Sequence, residues 1–248
     1  MRRKLWMGWD VGGWHCDRNK LSRDALVLLE PVDGELRAIG KWRGNLRGAL
    51  VTLSGVPLVR EMLALCQLRE AGSFDLTVAI DTPLGWPRAM LRLASGGERT
   101  PVPEDDRLNP YTRRDTELDL IRRGYQPLSA VRDMLGSQST KGIHFLRAAS
   151  LPTTSCGVWR AESDGVSVTA IETYPAVARK SAPLASRCGE MLQTAPFSSP
   201  SGGVIPDVED ALVCALLAHL FSDPGGVEPV PPTAPEIEGW IILPRGIP

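Results

Sequence analysis

Apolar and polar positions follow two different periods along this chain, and the switches between them mark its elements. The first stretch, Leu5 to Gly13, reads L-W-M-G-W-D-V-G-G: a short apolar run that ends in Asp10 and is followed by Gly12 and Gly13. An apolar run of that length, bounded by glycine, is the pattern of a buried strand. Asp24 to Glu30 and Glu35 to Lys41 are strand-like runs joined by P-V-D-G, a turn signal, and they predict a hairpin. Helical spacing then takes over at Leu58, Met62, Leu65, Cys66 and Arg69, with Pro57 suited to a first helical position and Gly72 to a C-terminal cap.

Leu76 to Asp81 (L-T-V-A-I-D) repeats the design of the opening, and Gly165 to Glu172 (G-V-S-V-T-A-I-E) repeats it again. Between them, from about 83 to 152, no strand is expected; Trp86 to Ala94 and Thr112 to Arg123 have helical patterns separated by a polar loop. This stretch predicts a helical, lid-like insertion after the fourth strand. Beyond a Pro-, Ser- and Gly-rich stretch reaching Gly203, Pro206 introduces a strongly apolar helix, and Trp240 to Leu243 is a short strand-like run near the end.

This order predicts an α/β fold in one domain over 1–248, a mixed five-stranded sheet flanked by helices. Crossover connections make the strands of Asp10, Asp81 and Glu172 parallel, so their C-terminal tips share one edge. By alternation Asp10 shares a face with Trp6 and Gly8, Asp81 with Thr77 and Ala79, and Glu172 with Val166, Val168 and Ala170. The small residues beside the first two acids leave room for another element to approach closely.

Composition changes this picture little. The content is 43% hydrophobic and 23% charged, ordinary for a globular protein, and the formal net charge of −1 offers nucleic acid no attraction by the molecule as a whole. Any basic surface must be local. The five cysteines are scattered without a C-x-x-C pair, which argues for reduced thiols, a cytoplasmic location and no zinc site. No run is long and apolar enough for a membrane span.

The candidate chemistry lies in the acids. Neighbouring strands run ~4.8 Å apart, so carboxylates at adjacent tips can share a cation, and oxygen-only ligation favours Mg2+ or Mn2+. On the last helix Asp207 and Asp210 are three residues apart and project to nearly one side. Asp210 shares the stripe of Cys214, Leu217 and Phe221, an odd place for a carboxylate unless something binds it. Asp207 also has the position of a helix N-cap.

Six motifs carry a resemblance: G-W-D-V-G-G at 8–13, A-I-D-T-P-L-G-W-P at 79–87, R-R-D-T-E-L at 113–118, E-T-Y-P-A at 172–176, D-V-E-D-A-L-V-C-A-L-L-A at 207–218 and E-G-W-I-I-L-P at 238–244. In this order, and over nearly the whole chain, they resemble the domain of unknown function 429 family, predicted nucleases with a ribonuclease H-like fold. The resemblance implies three antiparallel strands, a helix and two further parallel strands, with acids on the central strands and the last helix. The Holliday-junction resolvases of the same superfamily also use acids on two strands and a pair on a final helix, which Asp10, Asp81, Asp207 and Asp210 resemble.

The expectation is therefore a nuclease that hydrolyses phosphodiesters of nucleic acid with two metal ions. Asp10, Asp81, Glu172 and Asp210 are the expected metal ligands, with Asp207 nearby. Arg113 or Arg114 on the lid would neutralise the phosphate, and Gly12 and Gly13 would give it clearance. Two rivals stand beside it. D-V-G-G after a strand also resembles the phosphate loop of actin-like and sugar-kinase ATPases, although no second such loop follows, and a non-catalytic metal-binding or interaction module is the third reading.

Overall fold

The computed structural model describes residues 2–19, 21–132, 135–197 and 205–247. The last part of the Pro-, Ser- and Gly-rich stretch, at 198–204, lies outside the described residues. The protein is α/β: an open, mixed sheet of seven strands with helices on both faces. The strands are β1 (Arg3–Asp10), β2 (Asp24–Val32), β3 (Glu35–Gly44), β4 (Phe74–Asp81), β5 (Thr153–Ser155), β6 (Val158–Ser163) and β7 (Val166–Glu172), in the spatial order β3-β2-β1-β4-β7-β6-β5. β1, β4 and β7 are mutually parallel and central; every other pairing is antiparallel.

The sheet has two strands more than the five expected. β6 and β7 form a hairpin turning at Asp164 and Gly165, both with positive φ (50° and 76°), as the β2–β3 hairpin turns at Asp33 and Gly34 (53° and 81°). Both are Asp-Gly turns, whose left-handed backbone matches the twist of the paired strands. The run at Trp240 to Leu243 is not a strand; it makes a single parallel bridge between Ile241 and Glu172.

The helices are α1 (Arg47–Thr52), α2 (Gly55–Leu65), α3 (Arg88–Ala94), α4 (Asp115–Arg122), α5 (Gly136–Ala148), α6 (Pro175–Ala178), α7 (Ala182–Leu192) and α8 (Pro206–Ser222). α2 begins two residues before Pro57 and ends at Leu65 with Cys66 as its C-cap, so Gly72, in the left-handed region, shapes the loop before β4 instead of capping the helix. α3, α4 and α5 lie in the expected insertion. Among the described residues no helix is long and apolar enough to cross a membrane, and all five cysteines are free and buried.

Alternation along the central strands divides the core in two. Met7, Trp9, Leu26, Leu28, Val78 and Ile80 pack with α2 and α5 on one face; Trp6, Val27, Leu29, Ala79 and Ile171 pack with α7 and α8 on the other. α8 is apolar almost all round because it is buried almost all round, its residues 211–218 being inaccessible or nearly so. The small residue beside Asp10 explains its approach: a Cβ on Gly8 would stand 1.8 Å from the Ala211 carbonyl oxygen and 2.4 Å from the Ala215 nitrogen. Gly8→Ala must therefore push α8 off the sheet, at about 3 kcal/mol, the upper end of ordinary overpacking. Urea denaturation should show that loss, and an unchanged midpoint would refute the close packing.

Candidate active site

The parallel register sets the acids. Asp10 and Asp81 are direct partners across β1 and β4, so both side chains leave the C-terminal edge on the α8 face. No hydrogen bond or ion pair to a described residue satisfies either carboxylate, although each keeps some accessible surface in a cavity of about 180 Å³ at the strand tips. Burial, then the charges of Asp210 and Glu172, push the Asp81 carboxyl up to about 8. Asp10 is likewise driven well above the usual carboxylate range by burial and by Asp81, Asp210, Asp207 and Asp24.

α8 brings its acids to the same edge, each already engaged. Asp210 holds Arg179 at 2.5 Å, and burial still raises its carboxyl above the ordinary value. Asp207 accepts from Arg43 Nη2 at 2.6 Å and from the Arg23 amide at 3.0 Å. It is not the N-cap: Ile205 holds that position and Pro206 is the first helical residue. Arg179 and Arg43 are cations beside the acids that the sequence did not single out, because neither belongs to a motif that ends in an acid.

Glu172 is placed elsewhere. Its register partner is Ile80, not Asp81, so it is one position short and points to the opposite face. There both its oxygens are held by Arg114, at 2.5 and 2.8 Å, and one also accepts the Leu84 amide. Arg114 is no phosphate ligand either. It is wholly buried and donates five bonds, two to Glu117, two to Glu172 and one to the Glu238 carbonyl, which exhausts a guanidinium. Arg113 donates to the Pro127 carbonyl.

The glycines after Asp10 serve packing, not clearance for a substrate. A Cβ on Gly12 would lie 2.7 Å from backbone atoms of Arg23 and Asp24, and one on Gly13 would lie 3.0 Å from Ser137 Oγ. The Gly12 amide is bound to Asp24 Oδ1, so it is not free to cradle a nucleotide phosphate. Under this turn Lys141 of α5 and Asp24 form an ion pair at 2.5 Å in which neither side chain is exposed. Lys141 also donates to the Gly12 and Gly13 carbonyls and to Asn45, while Asp24 accepts from Trp9 Nε1 and the Leu46 amide. A lysine reads as surface in a sequence, and no local pattern announces this pair. Lys141→Met should cost about 3 kcal/mol, since it leaves Asp24 buried with its charge unmatched but still hydrogen-bonded. Chemical denaturation of the variant checks this; a loss below 1 kcal/mol would mean the pair carries no weight.

Do these residues fit Mg2+ or Mn2+? Asp10 and Asp81 do: they are hard oxygen donors side by side, unpartnered and mutually repelling. The wider set expected from the sequence does not close around them, because Glu172 lies on the other face and Asp210 is paired with Arg179. Among the described residues no three His, Cys, Asp or Glu side chains converge as a metal cage. No family model, curated protein or solved structure matches the chain.

Proposed function

We propose that the chain is a divalent-metal-dependent phosphodiester hydrolase acting on nucleic acid, with a ribonuclease H-like core of the kind its motifs resemble. The observation that carries this reading is the Asp10–Asp81 pair, two register-matched carboxylates at the tips of adjacent parallel strands, with no ion pair to a described residue and with Arg179 only partly offsetting the charge at Asp81. The C-terminal edge of parallel strands is also where open α/β sheets bind ligands.

Asp10 and Asp81 would hold Mg2+ or Mn2+, which when bound supplies Lewis-acid activation of water and neutralisation of phosphate charge. Asp210 is the nearest further ligand, and taking that role frees Arg179 to meet a phosphate oxygen with a charge-assisted bond. The role expected of Arg113 and Arg114 thus passes to Arg179 and Arg43, which border the acids on their own face. The buried Lys141–Asp24 pair fixes the turn after Asp10 and so the aim of its carboxylate.

Hydrolysis adds water across one P–O ester bond: the phosphorus gains the hydroxyl and the leaving oxygen gains the proton. The test is incubation of labelled single- and double-stranded oligonucleotides with the protein in MnCl2, MgCl2 or EDTA. Cleavage in the metals alone is expected. Absence of cleavage with every substrate, together with no metal binding by calorimetry, would reject the proposal.

A further inference from the structure

The cavity over the strand tips has features that metal binding by Asp10 and Asp81 leaves unused. Thr82 and Thr173 line it while only 4% and 2% exposed, and their hydroxyls find no partner among the described residues; nor does the buried Oε1 of Gln138 in the same wall. An unpaired buried polar atom costs free energy, so two hydroxyls and an amide oxygen in residues that line one cavity are groups a polar ligand reaching them would satisfy. The Thr82 methyl is turned toward α5, where a Cβ on Gly142 would meet it at 2.5 Å. Leu128 and Leu135 from the insertion and Ile241 from the C-terminal segment give the wall an apolar part, beside Tyr174 and the Arg114–Glu117–Glu172 cluster.

The volume suits a small ring. An apolar cavity of ~150 Å³ takes one benzene ring, and about 180 Å³ at this half-open site is room for one flat heterocycle. Apolar faces with hydrogen-bonding groups at the edge are what an unstacked nucleobase requires. Each threonine directly follows a strand-end acid, in D-T-P and E-T-Y-P, so the cavity adjoins the carboxylates.

From this geometry we infer that the cavity is a binding pocket for one unpaired nucleobase, read by Thr82, Thr173 and Gln138, with its own sugar-phosphate lying toward Asp10 and Asp81. This rests on the proposed hydrolase reading and narrows it: a strand end, a flipped-out base or a free nucleotide fits, and a paired duplex interior does not.

Calorimetric titration with nucleoside monophosphates in MnCl2 tests it, since these carry a base and no diester to cleave. Ribose 5-phosphate should bind at least about tenfold more weakly. Thr82→Val and Thr173→Val, which keep the branched shape, should each weaken nucleotide binding about three- to tenfold. Equal affinity for ribose 5-phosphate, or no change in the folded valine variants, would overturn the pocket. Base-dependent binding without cleavage of any oligonucleotide would uphold the pocket and defeat the hydrolase reading. Cleavage of an end-free dumbbell duplex as fast as a single strand would do the reverse. Linear against circular single strands then separates a strand end from a flipped-out base, either result upholding the pocket.

Discussion

At pH 8, Asp81→Asn is expected to melt above the parent protein while losing the proposed hydrolysis about a thousandfold. The loss follows from removing half of the unpartnered acid pair: polarisation by a bound divalent ion is worth several kcal/mol, and each ~1.4 kcal/mol is tenfold in rate. The gain in stability follows from the same charge. The Asp81 carboxyl holds its proton up to about 8, far above an ordinary carboxylate, because of burial and the neighbouring acids. Between about pH 4 and 8 the folded protein therefore binds more protons than the unfolded chain, and stability falls as pH rises through that window. Asparagine has no proton to lose and lacks this slope. An advantage of about 2 kcal/mol at pH 8, or about 4–8 °C in Tm, should shrink toward zero near pH 4. MnCl2 should raise the Tm of the parent at pH 8 and leave the variant nearly unmoved. Parallel Tm-against-pH curves for the two proteins, indifferent to Mn2+, would show that Asp10 and Asp81 are not a destabilised acid pair.

The legible part of the fold lay where local pattern and tertiary role coincide. β1, β4 and β7 are apolar runs stopped by an acid and a turn, and the parallel order of the three follows from their crossovers. The approach of α8 could be read in Gly8 and Ala79. Asp10 and Asp81 were legible for the same reason. Glu172 was not, because alternation shows which residues of one strand share a face but not the register between strands, and one step of slip turned it from Asp81 to Arg114. The Asp164–Gly165 turn offered the same hairpin signal as P-V-D-G, and could have revealed β6. α5 was harder: G-S-Q-S-T-K-G-I-H-F has weak amphipathicity, since it buries Ser139, Lys141 and Gly142 along with Phe145. Polar residues that bury by pairing with each other, as Lys141 does with Asp24, leave no apolar stripe to find. The threonines after two of the acids are visible as strand stops, and only the fold shows that both line one cavity.

Arg114→Met should be the most damaging single change outside the acid pair, costing about 5 kcal/mol and about 10–20 °C in Tm. Among the described residues Arg114 alone pairs with Glu117 and Glu172, and all three are essentially inaccessible. Burial works against its charge, yet the two carboxylates raise it above even an ordinary arginine, while burial pushes Glu117 up toward the neutral form. Without the guanidinium two carboxylates remain buried with no ion pair to a described residue, so the loss should be smaller at pH 5, where protonation of Glu117 relieves part of it. Lysine at 114 should recover only part, having three donors where five are used. If the damage is unbalanced charge and not lost packing, Arg114→Met combined with Glu117→Gln and Glu172→Gln should recover more than half of it. The network has a second consequence. It joins β7 to α4, and its neighbour Glu238 caps two helices of the insertion at once, accepting the Arg88 amide at 2.8 Å and the Asp115 amide at 2.7 Å. Arg114 also holds the Glu238 carbonyl, so one side chain ties strand, insertion and C-terminal segment around the cavity. The methionine variant should therefore lose nucleotide binding at temperatures where it is still folded, because Leu128 and Ile241 are no longer fixed over the strand tips. Nucleotide affinity equal to the parent's in a folded but destabilised Arg114→Met protein would separate the two roles and leave Arg114 with stability alone.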